Sequence, residues 1–177
     1  MGKPKRRWII IFLVLVGLQL VSLMSSSSTF NTEEAATIDK ADTAWMIVAT
    51  AFVLFMTPGL SFFYGGMVGK KNVISTMLQS FMAMIIVTIL WVIIAFGLSF
   101  GPTIGGVIGN PIPNLFFQGV GVKTAWSLAP TIPLMLFALF QAKFAIITPA
   151  LITGAFAERI RFWAYLLFMV LFILFIY

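Results

Sequence analysis

Residues 41–73 read ADTAWMIVATAFVLFMTPGLSFFYGGMVGKKNV, and no charged side chain interrupts them between Asp42 and Lys70. A helix over Ala44–Val68 rises about 1.5 Å per residue, so it crosses the roughly 30 Å of bilayer hydrocarbon with length to spare. The stretch therefore predicts a tilted transmembrane helix. Further along the chain, 72–100 carries no charge, 128–156 carries Lys143 alone, and 162–177 again carries none. The first two are long enough to cross. The last would reach only about 24 Å, and its apolar end at Tyr177 predicts an incomplete sequence.

Composition agrees with the segments. Of 177 residues 61% are hydrophobic and 9% charged, against about 25% charged in an ordinary soluble domain. So few charges cannot coat a water-facing surface, and a soluble globular protein is excluded. The net charge of +6 does not point to nucleic acid, because the basic residues sit in short clusters between apolar runs. With no Cys and no His, disulfides, thiolate chemistry and the usual zinc ligand sets are out of reach. The spans also lack paired carboxylates, so the reading expects no enzyme, no metal and no cofactor.

The segments group into three regions. Residues 1–28 combine the basic Lys3, Lys5, Arg6 and Arg7, the apolar Trp8–Met24 and the small Ser25–Ser28, as in a signal peptide or an uncleaved signal anchor. Residues 29–42 read as an exported linker. Residues 43–177 form the membrane domain. Eight of the eleven basic residues, Lys3 to Arg7, Lys70, Lys71, Arg159 and Arg161, fall at alternate ends of successive spans. The positive-inside rule makes those ends cytoplasmic and the mature amino terminus external. The segment 101–127, GPTIGGVIGNPIPNLFFQGVGVKTAWS, then lies outside, and its Gly and Pro content predicts a surface loop.

The stretch FQAKFAIITPALITGAFAERIRF, from Phe140 in the third apolar segment to Phe162, holds the candidate site. Phe140 and Phe144 are four apart and share a helix face, with Gln141 beside them. Aromatic rings at a pore mouth attract a partly desolvated cation, worth about 0.5–2 kcal/mol per ring. Packed or lipid-facing phenylalanines would show the same spacing. Lys143 costs about 2.5–3.5 kcal/mol near a bilayer centre and should face protein or water. Gly and Pro at Pro58-Gly59, Gly65-Gly66, Gly97, Pro149 and Gly154 permit close helix approach or local kinks.

These two stretches, 41–73 and 140–162, resemble the first and third mature spans of the ammonium transporter (Amt/Mep/Rh) family, in its Amt branch. The resemblance implies an all-α polytopic membrane protein: here a signal segment plus four transmembrane helices, the first part of an eleven-helix fold. It also implies a homotrimer in the inner membrane, taking up ammonium or ammonia through one pore per subunit. By resemblance Phe144 corresponds to the first of two stacked phenylalanines closing the outer mouth of the pore. Phe140 corresponds to an aromatic wall of the recruitment vestibule, and Gln141 to a structural neighbour. Family members commonly bind a trimeric PII-type signal protein on the cytoplasmic face. The family's recruiting Trp, Ser and Asp and its twin pore histidines have no counterpart here. A non-conducting subunit, or a regulatory or sensor partner of a full-length transporter, stays open as the alternative.

Overall fold

A computed structural model describes residues 38–177 except Val107, together with Leu13, Val16 and Gly17. The signal segment and most of the linker read from the sequence lie outside the described residues. From residue 38 onward two long helices come first, α1 (Lys40–Met67) and α2 (Val73–Phe100). Two short antiparallel pairs follow, β1 (Thr103–Ile104) with β2 (Ile108–Gly109), and β3 (Ala125–Trp126) with β4 (Ala129–Pro133). Helices α3 (Leu134–Leu151), α4 (Thr153–Phe156) and α5 (Phe162–Phe175) complete it.

Each boundary has a local cause. Asp39 Oδ1 accepts the N–H groups of Ala41 (2.8 Å) and Asp42 (2.9 Å), satisfying donors that a helix start leaves free. The Asp39 N–H itself donates to the Thr131 carbonyl at 2.9 Å, which fastens the start of α1 to β4. Helix α1 runs through Pro58 without ending there. Between α1 and α2, Gly65 lets Met77 approach so closely that a Cβ would lie 2.9 Å from Met77 Cγ. One turn earlier, the Ser61 hydroxyl donates across to the Met77 carbonyl at 3.2 Å. Small residues and interhelical hydrogen bonds are the means of packing helices in lipid, where apolar burial alone supplies little drive.

Among the described residues three helices are long and apolar enough to cross a membrane, Lys40–Met67, Val73–Phe100 and Leu134–Phe156, and Phe162–Phe175 is a shorter apolar helix. Three segments long enough to cross and a shorter fourth were expected, with the third starting at 128. The third instead starts at Leu134, because Pro130 and Pro133 keep the preceding residues extended as β4. The buried core runs along α2 (Ala83, Val87, Trp91), α3 (Ala138, Ala142, Ala145, Ile146) and α5 (Tyr165, Met169, Ile173). Helix α1 is peripheral, with Trp45, Phe52, Phe55, Phe62 and Phe63 exposed.

Residues 101–127 differ from the expected surface loop. They fold back onto α2, burying Asn114 and Leu115, and the Asn114 amide Nδ2 donates to the Gln118 carbonyl at 3.2 Å. Phe116 and Phe117 take positive φ (55° and 60°) in this segment. Asn110 Oδ1 accepts the Ile112 N–H at 3.1 Å, so Asn110-Pro111 acts as local turn chemistry.

Candidate functional site

Helix α3 carries the predicted aromatic pair. Phe140 and Phe144 pack edge to face, with ring centroids 5.1 Å apart and an interplanar angle of 71°. That is the arrangement the ring quadrupoles favour. Both rings are half-buried, so part of each stays accessible. The Thr148 hydroxyl donates to the Phe144 carbonyl at 2.7 Å, back-bonding within the helix one turn after the pair. Gln141 and Lys143 are also half-buried. On a helix Lys143 lies about 100° round the axis from Phe144, so it does not share that ring's face.

A separate aromatic group fills the end of the bundle nearest 101–133. Trp126 and Phe137 sit 4.7 Å apart, and Phe100 meets both, at 5.5 Å and 5.1 Å. Phe137 is buried, two turns before Phe144 on the same side of α3. Phe137 on α3 is therefore a packing residue while Phe140 and Phe144 stay partly accessible, a distinction that spacing alone could not make.

At the opposite end of the bundle lies a clasp that the sequence reading did not single out. Glu158 Oε1 accepts the Gly69 N–H at 2.8 Å and the Asn72 Nδ2 at 3.0 Å, joining the α1–α2 turn to the α4–α5 turn. These bonds, the one from Asn72 first, hold the Glu158 carboxyl below the usual carboxylate range; a small desolvation acts the other way. Glu158 adopts φ 63°, a left-handed turn that aims its side chain back across the gap. Nearby the Tyr64 hydroxyl donates to the Leu151 carbonyl at 2.7 Å, over the face of Gly154. Neither contact leaves a trace in hydropathy, since each joins residues more than 80 positions apart. The only signal available was an acidic residue inside an otherwise basic turn.

The clasp should make stability pH-dependent. A carboxyl whose folded pKa is depressed stabilises the fold above its unfolded value, and that contribution is lost as pH falls through the lowered folded value. We expect the thermal midpoint in detergent to fall on acidification below about pH 4.5, the ordinary value for this group. In Glu158→Gln the fall should be smaller, and identical curves would show that Glu158 does not carry it.

Among the described residues no group of three or more His, Cys, Asp or Glu could hold a metal ion. The profile of the Ammonium Transporter Family matches residues 44–177. The chain is 44% identical over 152 residues to an ammonium transporter of Mycobacterium tuberculosis, covering 78% of this chain and 32% of that protein. It is 46% identical over 130 residues to one of Bacillus subtilis, covering 73% and 31%. Among solved structures, Saccharomyces cerevisiae Mep2 aligns with a TM-score of 0.68 at 30% identity over 80% of this chain and 33% of its own. The chain thus spans about a third of the length of these relatives, and it belongs to the Ammonium Transporter Family.

Proposed function

We propose that this chain supplies part of an ammonium- or ammonia-conducting pore in a multi-pass membrane protein, with Phe140 and Phe144 receiving the cation at its outer mouth. The observation that carries the reading is the accessible edge-to-face pair on a membrane helix of a family member. In a T-shaped pair one ring spends its positive edge on the other's face, which leaves an outer face of negative potential for a cation. Gln141 supports the pair from the adjacent position. The same reading carries an inner-membrane location with the amino terminus outside, a homotrimer, and a PII-type partner on the cytoplasmic face.

A chimera tests it. Residues 41–177 replace the matching third of the Bacillus subtilis relative, and cells making the chimera are assayed for methylammonium uptake. The chimera should take it up, and Phe144→Ala within it should lower uptake at limiting substrate by about tenfold. Residues 1–177 expressed alone should not conduct, because the chain has no histidine and its spans carry no Asp or Glu between their ends to relay a proton, and a bare cation is costly at membrane depth. A folded chimera that is silent, or one indifferent to Phe144→Ala, overturns the proposal.

A further inference from the structure

We propose that the two turns joined by Glu158 form one binding site for the headgroup of an anionic phospholipid, and that Glu158 is its positioning residue. Lys70 and Lys71 follow Gly69 directly, and Arg159 and Arg161 follow Glu158 on the other turn. The two bonds to Glu158 Oε1 therefore gather four exposed cations that the sequence places 90 residues apart. The carboxylate's bonding partners, Gly69 N–H and Asn72 Nδ2, are neutral, so these bonds leave the cations free to face an anion.

The depth of the cluster selects a lipid over a soluble anion. Helix α1 ends at Met67, α2 begins at Val73 and α5 begins at Phe162. The four cations thus sit where apolar helices give way to turns, the level at which long basic side chains reach phosphate groups. Apolar surface adjoins them, with Met67 69% and Trp163 80% exposed. Acyl chains could lie against it. A cavity of about 180 Å³ lined by Tyr64, Met67, Val68, Gly154, Ala157 and Glu158 adds a recess beside the clasp.

The test uses the whole chain purified in neutral detergent, with bound lipid counted by mass spectrometry of the intact complex. Phosphatidylglycerol should bind more tightly than phosphatidylcholine. Neutralising Lys70 and Lys71, or Arg159 and Arg161, to Gln should weaken that preference by about fivefold for each cation removed. Glu158→Ala gives the sharpest readout. If the cations acted only by their summed charge, removing a negative group would tighten binding; loss of a positioning residue weakens it several-fold. Asn72→Ala, which breaks one of the two bonds and changes no charge, should weaken binding in the same direction. Equal affinity for the two lipids, tighter binding by Glu158→Ala, or displacement of the lipid by millimolar inorganic phosphate would each overturn the proposal.

Discussion

Trp91→Ala should destabilise the fold by about 3 kcal/mol, the low end for truncating a buried aromatic side chain. The low end applies because the unfolded reference of a membrane helix is already in an apolar medium, so lost packing rather than transfer supplies most of the cost. Trp91 is 1% exposed and is the largest fully buried side chain. Its indole Nε1 donates to the Ala138 carbonyl at 3.0 Å, tying α2 to α3. Phe96 and Phe100 meet the ring edge-on at 5.8 Å and 6.1 Å. Truncation empties the centre of the bundle, whereas Trp91→Phe keeps much of the volume and loses the hydrogen bond, at about 1 kcal/mol. Thermal unfolding in detergent, followed by circular dichroism, separates the two. Equal midpoints for both variants would show that the ring's volume does not hold α2 against α3.

The same residue shows where the sequence was legible and where it was not. Hydropathy and charge placed α1 and α2 within a few residues of their observed bounds, because an apolar run long enough to cross a bilayer has few other physical solutions. They could not show that α2 widens into a π-helical turn over Trp91–Ala95. Five residues apart on an α-helix, Trp91 and Phe96 would point about 140° from each other, yet both are buried. The wide turn, in which the Phe96 N–H donates to the Trp91 carbonyl, brings them to one side. Of the candidate site, the four-residue spacing of Phe140 and Phe144 was readable, since it follows from helix geometry alone. The Glu158 clasp was not, because it depends on a left-handed residue and on the packing of two distant turns. The fold of 101–133 was hidden for a related reason. Gly101 and Gly109 looked like breakers of structure, and they act as points of contact with the end of α2.

Gly97, on the α2 side of this contact, is the clearest case, and Gly97→Ala should cost about 1–3 kcal/mol, the range for overpacking a site that cannot yield. A Cβ there would lie 2.8 Å from Pro111 Cα and 3.0 Å from the Pro111 carbonyl oxygen. Both obstacles are backbone atoms, so no side-chain rotation relieves the clash. The neighbouring glycines close the same seam from both sides. A Cβ at Gly109 would meet the carbonyl oxygens of Leu98 and Gly97, and one at Gly101 would meet those of Gly97 and Asn110. The end of α2 and the 109–111 segment therefore touch backbone to backbone, an approach that only residues without a side chain permit. The Asn110 N–H, bonded to the Pro102 carbonyl at 2.7 Å, reports on that seam directly. In Gly97→Ala its hydrogen exchange should accelerate along with the fall in thermal midpoint. Gly59, where a Cβ would meet nothing within 4 Å, is the matched control. Gly59→Ala should leave the midpoint unchanged or raise it slightly, because alanine loses less backbone entropy than glycine in a helix. If both substitutions behave alike, the cost belongs to glycine in helices generally, and the seam between α2 and the 109–111 segment does not hold the loop in place.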